Sequence, residues 1–447
     1  MPRGYSAHVE TRPSAERQWT TGRREVLREL ARSDTGRAAG MGVAVIATNV
    51  LALVFTVIFA RMLGASGYGS LAVLISAFII LMVPGSALQI AAAREVSRDL
   101  ANGAPDAGAG VRRWLRRLVI ATVAVALASI PLRSVIGAVV NVDELWGAAA
   151  IPVTSMLWAI VSLERGVLQG FQRYRIVAAS LVGEATTRIL FALLLVSAGA
   201  DVTGAFLGSA LSLIAMALAL LVPLRSHLVA PARGPQREVR LRDLLAGAWV
   251  PVVGLTLLLA LQEIHVIIIK HEASEELAGS YAVAAVAAKA IIWVAVGLGL
   301  YLLPEATRRG ETGADARPIL LRTLGLIAAA GAPMVLIYSV AGEPLLAAAF
   351  GDDLTEASDA LPWLGLAMSL LATTYLSVQY LLALGRAGFI GVLAVGVVAE
   401  VVALVVIGAE LTSVALALVA IQAVCAGTVL TLAFRRAGTG ARFPVPA

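Results

Sequence analysis

The chain has 447 residues, of which 59% are hydrophobic and 14% are charged, and its formal net charge at pH 7 is +6. Soluble domains carry about 25% charged residues, so this composition excludes a chain that folds as one aqueous globule. The positive charge does not indicate a nucleic-acid partner, because basic loops beside membrane spans follow from topology and from attraction to anionic lipid head groups.

A helix needs about 20 mostly apolar residues to cross a hydrocarbon core about 30 Å thick. Stretches of this kind recur along the whole chain, so the sequence predicts an all-α polytopic membrane protein with twelve transmembrane helices. The predicted spans are residues 39–60, 70–92, 118–138, 147–163, 176–197, 204–224, 244–269, 280–303, 319–341, 360–384, 389–408 and 412–434.

Arginine residues set the predicted orientation, because positive residues in short loops stay on the cytoplasmic side. They crowd into alternate segments, including 93–117, 164–175 and 225–243, whereas 342–359 holds five acidic residues and no Lys or Arg. Both termini are therefore predicted to be cytoplasmic. The predicted organisation is a basic, largely disordered tail (1–38), an N-terminal six-helix lobe (39–224), a cytoplasmic linker (225–243), a C-terminal six-helix lobe (244–434) and a cytoplasmic tail (435–447).

The loop at residues 61–73 recurs at residues 271–283 with an offset of 210 positions and no gap. The register continues to Glu95 and Arg98, which align with Glu305 and Arg308. Two copies of one helical design are indicated. Many transporters pack such copies about an axis, so that one half rocks against the other around a site between them.

Ionisable side chains inside the spans are candidate site residues, because a charge at the bilayer centre costs roughly 2.5–3.5 kcal/mol and must face protein, water or a partner. Glu184 and Arg188 lie four residues apart on one helix face, the spacing of a self-neutralising pair. A role in cargo binding is the alternative for this pair. Glu400, in the eleventh span, has no partner nearby in sequence, and an arginine on another helix is one candidate.

The seventh and eighth spans carry a second polar set, Gln262, Glu263, His265 and Lys289. Their repeat equivalents, the first and second spans, carry Asn49 and Gln89. If the halves face each other across a cavity, these helices line it. Glu263 and His265 are candidates for binding and releasing a proton or for coordinating sodium. Lys289 is either the counter-charge of Glu263 or an anion-binding residue.

Enzyme signatures are missing from the sequence. It has no phosphate-binding G-x-x-x-x-G-K-[ST] loop. The zinc-protease pattern that begins at His271-Glu272 fails, because Glu275 stands where the second histidine is needed. Cys425 is the single cysteine. We therefore expect no catalytic residues, no resident metal and no cofactor, with coupling to H⁺ or Na⁺ left open.

The motif Arg61-x-Leu63-Gly64-x-x-x-Tyr68-Gly69 before an apolar span, followed by Arg94-Glu95-x-x-Arg98, resembles the amino-terminal signature of bacterial polysaccharide biosynthesis proteins. These are lipid-linked oligosaccharide flippases of the multidrug/oligosaccharidyl-lipid/polysaccharide exporter (MOP) superfamily. The second half is similar too, with Pro251, Glu263, Ala278-Gly279-x-Tyr281, Lys289 and Pro304. The sequence departs from the family by having Glu263 where aspartate is common, and by lacking two extra spans that some members carry.

The resemblance implies two six-helix lobes in a V, as in MATE transporters, around a cavity that opens alternately to each side. It implies a polyprenyl-pyrophosphate sugar as cargo, moved from the inner to the outer leaflet. Asn49, Gln89, Arg188, Gln262 and Lys289 are then the predicted substrate-binding residues. For coupling or gating, the predicted residues are Glu184, Glu263, His265 and Glu400.

Two other functions fit the sequence. One is a cation-coupled exporter of small amphiphilic drugs on the same fold, and the other is a transport-inactive scaffold that recruits glycan-assembly enzymes through its arginine-rich tail. In the favoured interpretation the protein lies in the bacterial cytoplasmic membrane. Its expected partners are the lipid-linked glycan, membrane lipids and other proteins of cell-envelope glycan assembly, without nucleic acid.

Overall fold

The computed structural model describes residues 34–102, 110–229, 249–312 and 314–435. These residues form helices joined by short turns, with no strand among them. The predicted linker at 225–243 lies outside the described residues beyond Val229, as do the tail before Asp34 and the tail after Arg435. The helices are α1 (Asp34–Leu81), α2 (Val83–Ala101), α3 (Val111–Val140), α4 (Leu145–Gly170), α5 (Tyr174–Leu195), α6 (Asp201–Val229), α7 (Trp249–Glu272), α8 (Glu275–Ala288), α9 (Ala290–Glu311), α10 (Arg317–Phe350), α11 (Leu361–Ala383), α12 (Phe389–Ile407) and α13 (Leu411–Phe434).

Ten helical stretches in the described part of the chain are long and apolar enough to cross a membrane. Two of them exceed one span, Gly40–Ala101 with 62 residues and Tyr174–Arg225 with 52. Each contains glycine with a positive φ, 68° at Gly64 and 86° at Gly199, a conformation that breaks a helix. Divided at these glycines, the ten stretches would give twelve spans. The count of twelve and the cytoplasmic termini stay predictions.

Kinks near mid-helix separate two further pairs of elements. Helix α1 ends at Leu81 and α2 begins at Val83, with Pro84 in the first turn of α2. Proline is favoured there because the first turn of a helix leaves its N–H groups unpaired. In the second half, Lys289 separates α8 from α9. Under the 210-residue repeat Lys289 corresponds to Ile79, so the two kinks lie within about one helical turn of equivalent positions.

The N-terminal half, α1–α6, and the C-terminal half, α7–α13, each pack largely within themselves. Close internal pairs are α2 with α4 and α5 with α6 in the first half, and α11 with α13 and α7 with α12 in the second. Helix α1 joins the halves by packing on α7 and α8. Large apolar side chains such as Leu127, Val340 and Val406 are exposed on the outside, which is expected where lipid rather than water surrounds the helices.

The 210-residue repeat extends further in the structure than in the sequence pattern. Helix α3 ends at Val140 and α10 ends at Phe350, which are equivalent positions. The residues that follow, Asn141 and Gly351, both have a positive φ, of 52° and 112°. Positive φ is a common way to end a helix. We call the end of the molecule that holds these two residues, Gly64 and Gly279 the outer end, following the arginine distribution.

Candidate functional site

Glu263 is the centre of a buried polar contact between the two halves. Its Oε2 atom accepts a hydrogen bond from the Lys289 ammonium at 2.7 Å and another from the Ser76 hydroxyl at 2.7 Å. Glu263 and Lys289 belong to α7 and to the kink after α8, whereas Ser76 lies on α1 in the other half. Gln262 donates to the second carboxylate oxygen of Glu263 at 2.8 Å. The sequence-based pairing of Glu263 with Lys289 is present, and Ser76 is a partner that the sequence analysis missed.

The contact between Glu263 and Lys289 is buried, so each charge depends on its partner. The Glu263 side chain is 2% exposed and that of Lys289 is 10% exposed. A charge in such surroundings is stable only while it is paired, so removing either partner leaves an uncompensated ion. A change in the protonation of Glu263 would therefore affect both the position of Lys289 and the contact with Ser76 in the other half.

His265 does not share the Glu263 contact. Its Nδ1 atom lies 2.8 Å from the Tyr281 hydroxyl, and the ring packs edge-on against Tyr281. Its Nε2 atom is buried without a hydrogen-bond partner in the described residues. His265 and Glu263 are two residues apart, and this spacing places side chains on different faces of a helix.

Glu400 on α12 is fully buried, and no arginine of the described residues pairs with it. Its Oε2 accepts a hydrogen bond from the Gln422 amide on α13 at 3.4 Å. The other oxygen of Glu400 and the amide oxygen of Gln422 have no partner within the described ranges. Two buried acceptors without donors are unusual, because nearly all buried polar atoms are hydrogen-bonded. An added proton would supply one of the missing donors.

In the N-terminal half, Glu184 pairs with Arg165 and not with Arg188. The Arg165 guanidinium donates to Glu184 at 2.8 Å, and to the hydroxyl and carbonyl oxygens of Ser180 at 2.9 Å each. Arg165 is fully buried in α4, so its assignment to a cytoplasmic loop is also corrected. The predicted Glu184–Arg188 pair makes no contact within 4 Å among the described residues. Helix periodicity does not detect the closer cation, because Arg165 lies on a neighbouring helix.

Arg188 instead lies over an aromatic ring. Its guanidinium carbon is 4.7 Å from the centre of the Phe55 ring on α1, a favourable cation–π contact. Its Nε is buried without a hydrogen-bond partner among the described atoms. A planar guanidinium held by a ring keeps its donors available for an anion such as phosphate.

Asn49 and Gln89 are half-buried, and the described part of the chain offers neither side chain a hydrogen bond. The backbone of Gln89 is packed closely, because a Cβ on Gly166 would lie 2.3 Å from the Gln89 carbonyl oxygen. The Gly166-x-x-x-Gly170 motif thus serves the approach of α4 to α2. The structure brings Asn49 and Gln89 into no cluster with the other predicted residues.

At the outer end the halves touch through backbone. A Cβ on Gly279 would lie 1.8 Å from the Ala65 carbonyl oxygen, and a Cβ on Gly69 would lie 3.1 Å from the Gly279 nitrogen. Polar contacts surround this point. The Asn141 amide donates to the Lys270 carbonyl at 2.6 Å, and the Lys270 ammonium pairs with Glu275.

Arg61 and His271 bind the ends of helices in the opposite half. Arg61 donates to the carbonyl oxygens of Ala348 at 2.5 Å and Ala349 at 3.0 Å, at the end of α10. The His271 Nε2 atom lies 3.4 Å from the Ala138 carbonyl oxygen, at the end of α3. Both residues lie in the repeated loops, and neither was predicted to have a role. Their equivalence under the repeat was the signal that could have found them.

An apolar groove of about 460 Å³ opens beside the Glu263 contact. It runs between α1, α3, α4 and α7. Ala77 follows Ser76 directly, and Ile267 is one helical turn beyond Glu263. Apart from one serine hydroxyl that is bonded to its own helix, the lining is aliphatic: Ala77, Ile80, Leu81, Val125, Ala128, Ser129, Leu132, Ile136, Val139, Val140, Ile151, Pro152 and Ile267.

Solved structures of similar fold are transporters. An inward-facing multidrug resistance MATE family transporter of the MOP superfamily aligns with a TM-score of 0.73 at 13% identity, covering 86% of this chain and 93% of that one. An outward-facing conformation of such a transporter aligns at 0.64 and 14% identity, over 89% and 94% of the two chains. A MATE structure in the bent conformation aligns at 0.63 and 14%, over 91% and 96%. At these identities the likeness shows the fold, which is the predicted MATE-like one.

A search of curated protein sequences finds no match to this chain. A family model does match, over residues 39–299, and its description is polysaccharide biosynthesis protein. The matched segment is more than half of the chain and includes Ser76, Glu263 and Lys289. The family and the fold are those of multi-pass membrane transporters. The chain therefore belongs to the polysaccharide biosynthesis protein family of the MOP superfamily.

Proposed function

We propose that this protein moves a lipid-linked glycan precursor of the polyprenyl-pyrophosphate type from the inner to the outer leaflet of a bacterial cytoplasmic membrane, by alternating access. The observation that carries the proposal is the position of the Glu263–Lys289–Ser76 contact beside an aliphatic groove. A cargo with an anionic head and a hydrocarbon tail needs a polar, cationic site next to an apolar one. This arrangement supplies both within one helical turn of α7.

Lys289 is the cation that we assign to the pyrophosphate. An ammonium binds phosphate as a compact charge, and Lys289 lies at the break between α8 and α9. In the structure its charge is held by Glu263. Cargo therefore competes with Glu263 for Lys289. Arg188, held over Phe55, is the second cationic residue that we assign to the anionic head.

The exchange of partners suggests how transport is coupled to an ion. When Lys289 turns to the cargo, Glu263 is left buried without a counter-ion, which costs about 3–5 kcal/mol when a buried pair is broken. A proton on Glu263 removes that cost. Proton uptake would also change the bond to Ser76 in the other half, since a protonated carboxyl accepts less strongly. Cargo binding, protonation and separation of the halves are thus linked through one carboxylate.

Purified protein in liposomes tests the proposal directly. A fluorescent polyprenyl-pyrophosphate sugar is placed in the membrane, and its arrival in the opposite leaflet is followed by quenching. We expect translocation by the natural sequence and a loss of at least about tenfold in Lys289→Ala, the factor that corresponds to one charge-assisted hydrogen bond. Lys289→Arg is expected to retain part of the activity, because the charge remains.

A double variant separates transport from folding. Lys289→Ala with Glu263→Gln removes both charges and leaves no buried ion, so the protein is expected to fold while still failing to move the anionic cargo. Recovery of transport in the double variant would show that Lys289 serves only to neutralise Glu263. If the natural protein does not translocate the sugar either, the proposed function would be refuted.

The same liposomes address the other candidates. Efflux of an amphiphilic cationic dye without movement of the lipid-linked sugar would favour a multidrug exporter. Absence of any transport, together with loss of surface glycan when residues 1–36 are deleted in cells, would favour a scaffold that recruits glycan-assembly proteins.

A further inference from the structure

Arg61 and His271 make equivalent contacts in the two halves. The internal repeat relates both the two side chains and the two carbonyl groups that they approach. The offset of 210 positions relates Arg61 to His271. It also relates Ala138 to Ala348, whose carbonyl oxygens the two side chains approach. Each half thus extends one side chain to the carboxyl-terminal end of a helix in the other half, which is α10 for Arg61 and α3 for His271. A contact repeated in this way lies symmetrically about the axis on which Gly69 and Gly279 meet.

Helix carboxyl termini favour such contacts. Their last carbonyl groups lack intrahelical partners and carry partial negative charge, so cationic donors stabilise them. Arg61 supplies a permanent charge at the end of α10 and donates to two carbonyl oxygens there. His271 occupies the equivalent position at the end of α3, but imidazole carries a charge only when it is protonated. The two contacts are alike in geometry and different in their response to pH.

Both ring nitrogens of His271 face carbonyl oxygens. Nδ1 lies 3.0 Å from the Ile267 carbonyl on its own helix, and Nε2 lies 3.4 Å from the Ala138 carbonyl in the other half. A neutral imidazole has one N–H and satisfies only one of them, whereas the imidazolium donates to both. The side chain is exposed at the outer end, where protons from that side reach it.

Charged groups flank His271 on the elements around it. Lys270 is paired with Glu275, so their charges largely offset each other. The other charged groups close in sequence to these contacts are acidic, apart from Arg133 on α3: Glu272, Glu276, Asp143, Glu144, Asp352 and Asp353.

We propose that Arg61 and His271 are the two halves of an outer latch, and that protonation of His271 from the outer side closes it. The latch rests on the proposed alternating-access function. At acidic outer pH, the imidazolium bridges the halves and holds the outer end shut. At alkaline pH, the single N–H of the neutral ring donates to only one carbonyl oxygen, and the outer end opens more readily. External protons would then favour the return of an emptied exporter to the state that is closed outside.

Distance measurements on the full chain test the latch. The background is Cys425→Ala, which removes the single cysteine. Spin labels are placed on cysteines at Val135 of α3 and Val340 of α10, which are exposed on opposite halves. Electron–electron double resonance in lipid nanodiscs then reports the outer spacing at about pH 5 and about pH 8, a range over which histidine changes charge.

We expect the ratio of closed to open outer ends to be about tenfold higher at the acidic pH, the factor for one charge-assisted hydrogen bond. His271→Arg is expected to stay closed at both pH values, and His271→Ala to be more open and insensitive to pH. Arg61→His makes both halves titratable and is expected to steepen the response. His265→Gln is the control for the buried histidine and is expected to retain the pH response.

An unchanged pH response in His271→Arg would overturn the latch, as would its loss in His265→Gln alone. The readout is independent of cargo. A spacing that ignores pH while liposomes still flip the lipid-linked sugar would refute the latch and leave the proposed function standing. If the spacing changes with pH only when His271 is present, and no sugar is moved, the latch would stand and the proposed function would be refuted.

Discussion

Gly69 and Gly279 are equivalent residues of the two repeats, and they pack against each other where the halves meet. A Cβ on Gly69 would lie 3.1 Å from the Gly279 nitrogen, and a Cβ on Gly279 would lie 1.8 Å from the Ala65 carbonyl oxygen. A residue that meets its own equivalent must lie near the axis that relates the two halves. Small residues at such a point allow two backbones to come into contact.

Gly279→Ala is therefore expected to prevent full closure of the outer end, because the added methyl group cannot share space with a carbonyl oxygen. Gly69→Ala is expected to act in the same direction more weakly, since 3.1 Å requires a smaller shift. The spacing between labels at Val135 and Val340 checks both variants.

Gly297→Ala provides the matched control, because no atom lies within 4 Å of the Cβ that it would add. A glycine-to-alanine change at an unstrained helix position typically stabilises a protein by about 0.4–1 kcal/mol. Should Gly279→Ala leave the outer spacing as in the natural sequence, the glycine contact would have no part in closure.

The second prediction concerns the stability of the Glu263–Lys289 pair. Lys289→Ala leaves Glu263 buried beside Ser76 without a cation, so we expect a loss of about 3–5 kcal/mol in stability. Glu263→Gln alone leaves Lys289 unpaired and is expected to cost a similar amount. The two changes together should cost much less than their sum, because neither buried ion remains.

Thermal unfolding in detergent measures these differences. The double-mutant cycle isolates the coupling between the two side chains, and Lys289→Arg serves as the charge-retaining control. Additive losses would mean that the 2.7 Å contact contributes little and that Lys289 is held by other groups.

Much of the fold follows from the sequence because the bilayer imposes a simple rule on it. Apolar runs of spanning length fix where helices lie, and the 210-residue repeat pairs 61–73 with 271–283 before any contact is known. The pairing of Glu263 with Lys289 was also predictable, since the two spans that carry them are adjacent in the chain. Helix breaks at Gly64 and Gly199 agree with predicted turns.

The sequence misleads where partners come from helices that are distant along the chain. Glu184 and Arg188 have the spacing of a pair. In the structure, however, Arg165 on α4 donates hydrogen bonds to Glu184 and to Ser180. The position of Arg165 in an arginine-containing stretch made it look like a loop residue. Ser76 was overlooked because a serine in an apolar helix usually bonds to its own backbone.

The third prediction tests this corrected assignment in the N-terminal half. Arg165→Ala removes donors from Ser180 and Glu184 and is expected to destabilise the protein by about 3–5 kcal/mol. Arg165→Lys is expected to rescue only part of this loss, since an ammonium cannot reproduce the fork of a guanidinium. Unfolding midpoints and the yield of membrane-inserted protein give the comparison.

Arg188→Ala is the matched control for Arg165, because Arg188 contacts the Phe55 ring and makes no ion pair within 4 Å among the described residues. We expect it to lower stability by about 0.5–2 kcal/mol, the range for a cation–π contact. Its effect on movement of the pyrophosphate cargo should be larger than its effect on stability. Equal losses of stability in Arg165→Ala and Arg188→Ala would restore the Glu184–Arg188 pair.

The last prediction concerns Glu400, whose free oxygen and the amide oxygen of Gln422 both lack donors in the described part of the structure. Glu400→Gln replaces a carboxyl oxygen with an amide that donates a hydrogen bond, and it leaves no charge to bury. We expect the variant to be as stable as the natural sequence or more so.

If Glu400 carries a coupled proton, transport by Glu400→Gln in liposomes should continue down a cargo gradient but cease to respond to an imposed pH gradient. Glu400→Ala, which leaves a cavity and the Gln422 amide unpaired, is expected to lose about 2–4 kcal/mol. A Glu400→Gln variant that still responds to the pH gradient would make Glu400 a structural residue and leave proton coupling to Glu263.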